Sequence, residues 1–362
     1  MRSRWFVVFL CALTLGAINF FYASRKDLVA VLSTSTAEAQ SAPFYQGKSI
    51  RLIVGTTTGG GYDRWARFFA RYMPKYIPGN PEMIVQNMPG AAGMAAVNYI
   101  FKVAKPDGLT LGMPPRSVAI DQLAGIREVN YDVRKLQWIG TPAKGFQLFY
   151  VRADTPYKSI EDILKAQEPP KCGNTASDGA TYVLAKILEE TLGAKLTIVS
   201  GYMGGNEADL AVEKGEVACR GVAIESHFTR EPFLTWHKKE FDRHIFLTSP
   251  NRDPRTPETP TLNEIMDKYK TPDNSRRVTR VLLASAEFGW PIVAPPGTPA
   301  NLVKFLRDAY DKAARDSELA AEVKKLKLDM NPAKGEDLQA LAAEVLDQPA
   351  DVIKRVKNIL GN

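Results

Sequence analysis

The chain has 362 residues, of which 45% are hydrophobic and 24% are charged. This composition is typical of a folded protein large enough for two domains, and it excludes a disordered or repetitive chain. The formal net charge of +7 is a mild excess without a block of consecutive basic residues. It argues against nucleic-acid binding and leaves a modest preference for anionic ligands.

The first 39 residues have the pattern of an export signal. Two arginines precede an uncharged apolar run over residues 5–22, and Ala37-Glu38-Ala39 offers a small-x-small cleavage site. The run is also just long enough to span a bilayer, so an uncleaved N-terminal anchor is the alternative. In either case we expect the folded part of the chain to lie outside the cytoplasm.

The three cysteines allow two interpretations. Cys11 lies in the N-terminal segment, which leaves Cys172 and Cys219 in the folded part. An oxidising compartment permits a disulfide between them, whereas two buried free thiols fit the sequence equally well.

Apolar runs alternate with helical patterns through most of the chain, which predicts an α/β fold with largely parallel sheets. A first unit has strands predicted at 50–54, 83–86 and 110–113 and helices at 64–72 and 93–103. A second unit begins near residue 146, with strands predicted at 149–152, 171–173, 195–200 and 217–222 and helices at 159–167, 181–192 and 206–214.

The C-terminal third begins with a segment rich in proline and charge at 251–260, which predicts an exposed linker. A helix is expected at 262–269 and a strand at 290–294. Two or three amphipathic helices are expected over 300–360, because their apolar spacing is that of a packed face.

The most informative motif is the triple glycine at 59–61, which joins a strand to a helix. Such a turn directs free backbone N–H groups and the positive end of the helix dipole at one point. The motif lacks the Gly-Lys-Ser/Thr ending of a phosphate loop and the spacing of a dinucleotide fingerprint, so nucleotides are not expected. From this stretch alone, an anion site and a simple tight turn are equally supported.

Seven segments in the same order resemble the periplasmic solute receptors of tripartite tricarboxylate transporters, also called the Bug family. They are IRLIVGTTTGGGYD at 50–63, NMPGAAG at 87–93, KPDGLTL at 105–111, SDGAT at 177–181, YMGG at 202–205, TPTLNE at 259–264 and APPGTP at 294–299. The resemblance implies a two-lobed Venus flytrap fold, type II-like, with a mainly parallel sheet in each lobe. One lobe is expected to comprise residues 44–145 and 251–362, and the other residues 146–250.

The resemblance also implies a function. The protein is expected to be a periplasmic receptor, held at the inner membrane if its N-terminal segment is not cleaved, that captures a small organic carboxylate between its lobes. It would deliver this ligand to integral-membrane permease subunits, as a monomer that binds no nucleic acid and needs no cofactor. A receptor that signals to a membrane sensor is the alternative. An exported enzyme is less favoured, because the sequence shows no nucleophile–base pair, and His227, His237 and His244 lack the spacing of a metal site.

Two loops, one from each lobe, are expected to hold the ligand carboxylate. By resemblance, the ligand-binding residues are Thr56, Thr57, Thr58, Gly59, Gly60, Gly61, Tyr62 and Asp63 in the first loop, Ser177, Asp178, Gly179, Ala180 and Thr181 in the second, and Tyr202, Met203 and Gly204 along the far wall. The threonines offer hydroxyl groups, and the glycines let a ligand approach the backbone. Two helix N-termini would then face one anion from opposite sides.

Several of these residues allow two interpretations. Asp63 suits a structural position at the start of a helix as well as a ligand contact. The ring of Tyr62 would either narrow the pocket and stack on a flat ligand or pack against the lobe surface. Asp178 would disfavour an anion unless it caps the helix or faces away. Arg116 and Arg220 could each pair with a second carboxylate, or have simpler roles at the surface and in a buried ion pair, respectively.

Two further segments have no single interpretation. Residues 87–93 follow a strand end and either line the cleft or form a structural turn. Residues 228–243 depart from the family pattern, and the sequence assigns them no role.

Overall fold

A computed structural model gives the structure of residues 44–59, 61–174, 180–202, 205–326, 328 and 330–360. The segment predicted as a signal peptide or anchor lies outside the described residues, as do Gly60, Ser177, Asp178, Gly179, Met203 and Gly204. Within the described residues, no helix is both long enough and apolar enough to cross a membrane.

The described part of the chain contains eleven β-strands. In chain order they are β1 (Ser49–Val54), β2 (Glu82–Asn87), β3 (Thr110–Met113), β4 (Gln137–Thr141), β5 (Gln147–Arg152), β6 (Lys171–Asn174), β7 (Thr197–Ser200), β8 (Cys219–Ala223), β9 (Asp242–Leu247), β10 (Ile292–Ala294) and β11 (Ala333–Lys334). The sequence pattern predicted all of them except β4, β9 and β11.

The same part of the chain contains fourteen α-helices. They are α1 (Gly61–Tyr72), α2 (Met94–Lys102), α3 (Val118–Ala124), α4 (Ile160–Lys165), α5 (Ala180–Leu192), α6 (Gly205–Lys214), α7 (Ile224–Thr229), α8 (Phe233–Lys239), α9 (Leu262–Lys268), α10 (Asp273–Phe288), α11 (Ala300–Ala313), α12 (Ser317–Lys325), α13 (Gly335–Leu346) and α14 (Ala350–Leu360). The prediction of two or three helices over 300–360 was wrong, because four form there. One of the extra boundaries is set by Asp316, whose carboxylate accepts hydrogen bonds from the N–H groups of Glu318 and Leu319 and so starts α12.

The strands form two sheets, and we define the two lobes by them. The first sheet has the order β11-β4-β10-β3-β1-β2 and the second has the order β7-β6-β8-β5-β9. The strands of the first sheet fall within 44–145 and 251–362 and those of the second within 146–250, while the exact domain boundaries stay a prediction.

The two-lobed α/β architecture is confirmed, but the expectation of mainly parallel sheets was wrong. β1 pairs in parallel with β2 and β3, and β6 pairs in parallel with β7 and β8. The remaining pairs between strands are antiparallel. Each antiparallel pair includes β4, β5 or β10, and β4 and β5 flank the segment 142–146 by which the chain passes between the lobes.

Helix α10 packs between the lobes. It contacts α5 of the second lobe as well as α3, α13 and α14. Its Phe288 ring stacks on Trp138 of β4 at a centroid distance of 4.8 Å. The carbonyl of Ala286 accepts a 2.7 Å hydrogen bond from the N–H of Gly145, in the segment that crosses between the lobes. This helix was not predicted from the sequence, although its buried residues, such as Val278, Leu282 and Ala286, recur with helical spacing.

Cys172 and Cys219 form a disulfide. They lie opposite each other on the parallel strands β6 and β8, with their Cα atoms 4.4 Å apart, and both are fully buried. The bond therefore ties two neighbouring strands of the second sheet that are 47 residues apart in the chain. Of the two alternatives that the sequence left open, the structure shows the disulfide.

The segment 251–260 contains no helix or strand, but the expectation of an exposed linker was only partly right. Thr256 and Thr259 are buried, and their hydroxyl oxygens lie 2.5 Å apart. The Thr256 hydroxyl also lies 2.9 Å from Nδ1 of His244 on β9. The Thr256 hydroxyl and a 3.0 Å hydrogen bond from the N–H of Leu247 to the carbonyl of Pro260 thus attach this segment to β9 of the second lobe.

Removal of the disulfide is expected to destabilise the protein. The double variant Cys172→Ala/Cys219→Ala should lose about 2–5 kcal/mol of unfolding free energy, because the unfolded chain is no longer constrained by the cross-link. Guanidinium denaturation with and without dithiothreitol measures the effect. The reductant should lower the midpoint of the wild-type protein and leave the double variant unchanged; equal midpoints for wild type and double variant would contradict the prediction.

Candidate functional site

Among the cavities that described residues of both lobes line, two have volumes near 500 Å³. The first, of about 490 Å³, is lined by Tyr62, Ala92 and Ser117 from the first lobe, Gln147, Ala180 and Val183 from the second, and Leu282, Leu283 and Ala286 from α10. The second, of about 500 Å³, is lined by residues that include Gly61, Arg64 and Trp290 from the first lobe and Phe146, Ile224 and Ser226 from the second. Arg116 lines both cavities. Volumes of this size are typical of small-molecule sites.

The buried side chain of Asp63 holds the first loop in place through hydrogen bonds. Its side chain is 3% exposed, and its carboxylate accepts two 2.9 Å hydrogen bonds from the guanidinium of Arg67. The same carboxylate accepts hydrogen bonds from the N–H of Gly59 at 2.9 Å and from Nδ2 of Asn87 at 3.1 Å. The hydrogen bonds from Arg67, together with those from Gly59 and Asn87, lower the pKa of Asp63 to about 2, although burial acts to raise it. This geometry favours the structural position over a ligand contact.

Residues 87–93 support the first loop and also reach the cleft. Nδ2 of Asn87 donates a 2.9 Å hydrogen bond to the carbonyl of Thr56, and Oδ1 of Asn87 accepts one from the Thr58 hydroxyl at 3.3 Å. A Cβ atom on Gly55 would lie 2.9 Å from Cα of Gly93, so the two turns are in direct backbone contact. Ala92, which lines the first cavity, has a positive φ of 53°. A left-handed backbone at a residue other than glycine is uncommon, so packing holds this turn in a specific shape.

Tyr62 connects the first loop to Arg116. The phenol oxygen accepts a 2.8 Å hydrogen bond from the backbone N–H of Arg116, and the ring lies 6.4 Å from that of Trp290. Burial raises the pKa of Tyr62, so its hydroxyl group is neutral at physiological pH. Of the two alternatives for Tyr62, the structure favours a ring that narrows the pocket, because this ring lines the first cavity.

Arg116 has an exposed side chain at the wall shared by the two cavities. Within the described part of the chain, its guanidinium group has no hydrogen-bond or ion-pair partner. A guanidinium presents five N–H donors in a planar fork that matches a carboxylate. The side chain is therefore free to bind an anion that enters the cleft.

The second cavity carries an excess of positive charge. Its lining includes five basic side chains, Arg64, Arg116, Lys144, Arg252 and Arg255, and two acidic ones, Glu225 and Asp253. Arg252 pairs with Glu264 at 3.0 Å, and Arg255 pairs with Asp253 at 2.7 Å. Among the described residues, Arg64 and Lys144 have no ion-pair partner, as is true of Arg116. The local field therefore favours an anion over a cation.

The second lobe contributes the first turn of α5. Ala180, the first residue of the helix, lines the first cavity. The hydroxyl of the buried Thr181 accepts a 3.0 Å hydrogen bond from the N–H of Gly221, and Oδ1 of Asn174 accepts one from the N–H of Tyr182 at 3.2 Å. These contacts fix the start of α5 on strands β6 and β8, so its positive end is held at the cleft.

Arg220 takes part in a buried ion pair and lines neither of the two cavities. Its guanidinium pairs with the buried Asp209, which also pairs with Arg230 at 2.7 Å. Arg220 also donates a 2.9 Å hydrogen bond to the carbonyl of Gly205, at the start of α6. The simpler of the two alternatives for Arg220 is thus the one that the structure shows.

Residues 66–358 match the sequence model of the TctC family, which is described as "Tripartite tricarboxylate transporter family receptor". The chain belongs to this family. A protein from Cupriavidus necator described as "UPF0065 protein in gbd 5'region" is 26% identical over 330 residues, which cover 90% of this chain and 92% of that protein.

Solved structures of other proteins share the fold. A TctC solute binding protein from Polaromonas superposes with a TM-score of 0.69 at 21% identity, covering 88% of this chain and 99% of that one. A Rhodopseudomonas palustris protein solved with adipate superposes with a TM-score of 0.55 at 18% identity, covering 87% and 98%. The two-lobed α/β fold of this TctC-family chain is therefore that of solute-binding proteins.

Of the residues predicted to bind ligand, some line the two cavities and others do not. Gly61, Tyr62 and Ala180 line the two cavities. The other described members lie outside the walls of both: Thr56, Thr57, Thr58, Gly59, Asp63, Thr181 and Tyr202. Their part in binding stays a prediction, as does that of the residues outside the described part of the chain. Arg64 and Trp290 line the second cavity and were not predicted, because no motif in this TctC-family sequence marks them.

The fold also brings the histidines together. His227, His237 and His244 lie with Asp242 so that one ligand atom of each is within 4.8 Å of the others. The sequence shows no metal-site spacing among these histidines, and the expectation that they bind no metal is not tested by their proximity alone. That expectation considered spacing along the chain, whereas these residues meet only when α7, α8 and β9 pack together. Burial is the main reason that the pKa of His227 is lowered to about 4, so its imidazole is neutral at pH 7.

The variant Asp63→Asn is expected to lower the unfolding free energy by about 2 kcal/mol at pH 7, because a pKa lowered from 3.8 to about 2 stabilises the ionised folded state. This contribution is present above pH 4 and is lost as the pH falls towards 2. Chemical denaturation at several pH values measures it. The difference between wild type and variant should shrink from pH 7 to pH 3, while the exposed Glu82→Gln should match wild type throughout; a constant difference would contradict the assigned pKa.

Proposed function

We propose that this protein is a periplasmic receptor that binds a small dicarboxylate between its lobes and delivers it to a tripartite tricarboxylate-type permease in the membrane. The observation that carries the proposal is the unpaired guanidinium of Arg116 at the junction of the two interlobe cavities. Membership of the TctC receptor family supports solute binding and delivery to a permease.

The cleft offers more than one charge to an anion. Arg116 lies between the cavities, and Arg64 and Lys144 line the second one. One carboxylate can thus occupy the Arg116 fork while a second approaches another basic group. A dicarboxylate uses this arrangement better than a monocarboxylate does, because each charge-assisted hydrogen bond contributes about 1.5–3 kcal/mol.

Helix dipoles support the same ligand class. α1 begins at Gly61 in the wall of the second cavity, and α5 begins at Ala180 in the wall of the first. Both helices exceed ten residues, and their N-termini belong to different lobes. An anion between the lobes would therefore be attracted from both sides, which favours the closed form.

The comparison with the adipate complex supports the choice of a dicarboxylate. That protein has the same fold and carries a six-carbon dicarboxylate. The apolar side chains of the first cavity, such as Leu282 and Leu283, provide contacts for a methylene chain between two carboxylates. We infer a linear or lightly substituted dicarboxylate of four to six carbons.

Thermal shift and calorimetry with a panel of organic acids test the proposal. C4–C6 dicarboxylates should raise the melting temperature, because a ligand that binds only the folded state stabilises it. The variant Arg116→Ala should weaken binding by about 10- to 100-fold, since it removes a charge-assisted bidentate contact.

The matched control is Arg127→Ala, which removes an exposed arginine of the same lobe that lines neither cavity. Its affinity should equal that of wild type, and both variants should retain the wild-type melting temperature without ligand. The proposal fails if no acid of the panel stabilises the protein, or if Arg116→Ala binds as tightly as the control.

A further inference from the structure

The second lobe contains a cluster of metal-ligating side chains outside the cleft walls. His227 lies on α7, His237 on α8, and Asp242 and His244 on β9. Asp242 and His244 are two residues apart on a strand, so their side chains point to the same face of the sheet. One ligand atom from each of the four residues lies within 4.8 Å of the others. The cluster contains every histidine in the sequence.

Three of the ligand atoms already have the spacing of a coordination polyhedron. Nε2 of His227 lies 2.8 Å from Oδ2 of Asp242 and 3.0 Å from Nε2 of His244. Nε2 of His244 lies 3.5 Å from Oδ2 of Asp242. A tetrahedral Zn²⁺ site with bonds of about 2.0–2.1 Å has ligand–ligand distances of about 3.3 Å. These three atoms thus approximate one face of such a tetrahedron.

Hydrogen bonds alone satisfy this cluster poorly. Nε2 of His227 contacts both Asp242 and His244, but an imidazole nitrogen carries at most one hydrogen, so one contact at most is a hydrogen bond donated by this atom. Nε2 of His237 is buried and has no hydrogen-bond partner among the described residues. The His227 side chain is fully buried, and that of Asp242 is 1% exposed. Buried polar atoms without partners are costly, and a cation at the centre would coordinate Nε2 of His237 and Oδ2 of Asp242, which have no hydrogen-bond partner among the described residues.

Neighbouring residues hold the side chains of His244 and His227 in place. Nδ1 of His244 lies 2.9 Å from the hydroxyl of Thr256, which in turn donates a 2.7 Å hydrogen bond to Glu258. This contact directs Nε2 of His244 towards the cluster, as an outer-shell partner does in metal sites. The rings of Phe228 and Phe233 pack against His227 at centroid distances of 5.5 and 4.4 Å and shield it from water.

We propose that His227, His237, Asp242 and His244 bind one Zn²⁺ ion. Three imidazoles and one carboxylate form a donor set that suits Zn²⁺. Because all four positions are filled by the protein, the site is structural and leaves no position for a reacting water molecule. The ion ties together α7, α8 and β9, and thereby gives the divergent segment 228–243 a role.

The ion also stabilises a wall of the cleft. The first turn of α7, at Ile224 and Ser226, lines the second cavity, and His227 follows directly. The segment that contains Thr256 lines the same cavity through Arg252 and Asp253. Zn²⁺ binding should therefore raise the stability of the second lobe without entering the cleft.

The experiment uses the protein without a polyhistidine tag, treated with a chelator and dialysed. Addition of zinc sulfate should give one bound Zn²⁺ per chain by calorimetry and elemental analysis, with a clear rise in the melting temperature. Addition of Co²⁺ in place of zinc should give the intense visible bands of a tetrahedral site. Fewer than about 0.2 Zn²⁺ ions per chain on the wild-type protein would overturn the proposal, whatever the variants do.

Three variants locate the site. Asp242→Asn and His237→Ala should each weaken Zn²⁺ binding by more than about 100-fold, since even the loss of an outer-shell partner costs 10- to 100-fold. Thr256→Val should weaken it by roughly 10-fold while all four ligands remain. The matched control, Glu168→Gln, removes an exposed carboxylate of the same lobe and should bind as wild type does. Unchanged stoichiometry and affinity in the folded Asp242→Asn protein, verified by circular dichroism without metal, would also overturn the proposal.

Discussion

The cleft depends on the packing of α10 against both lobes. Phe288 at its C-terminal end stacks on Trp138 of the first sheet, and the carbonyl of Ala286 accepts a hydrogen bond from the crossing segment. The same helix packs on α5 and supplies Leu282 and Leu283 to the first cavity. A buried helix that contacts both lobes constrains how they lie relative to each other. The position of Arg116 relative to the second lobe follows from this constraint.

The treatment of charge differs between the interior and the cleft. Inside the lobes, Asp63 is paired with Arg67, and Asp209 is paired with Arg220 and Arg230. Such pairing is required because an isolated buried charge is costly. In the cleft, Arg116 has no partner among the described residues. This costs little free energy, because its side chain is exposed to water and its charge stays hydrated. The buried charges Asp63, Asp209 and Arg220 are thus paired, whereas the charge of Arg116 remains available to a ligand.

The second lobe links two features that lie far apart in the sequence. Helix α7 contributes its first turn to the second cavity and His227 to the histidine cluster. The segment 251–260 contributes Arg252 to the cavity, and its Thr256 lies against His244. The cleft wall and the cluster therefore share two backbone segments. The disulfide between β6 and β8 is a further link between distant segments of the same lobe.

The sequence by itself determined the local elements and the family. Strands β1 to β3, the glycine turn and α1 were predictable because they depend on periodicity and turn chemistry within a few residues. The motifs that mark the family are also local. Only the tertiary structure decided the mixed sheets, the position of α10 between the lobes, the disulfide and the position of Arg116 between two cavities. It also decided the proximity of His227, His237, Asp242 and His244. Each of these is a contact between residues distant in the chain, and periodicity carries no information about which distant segments will pack together.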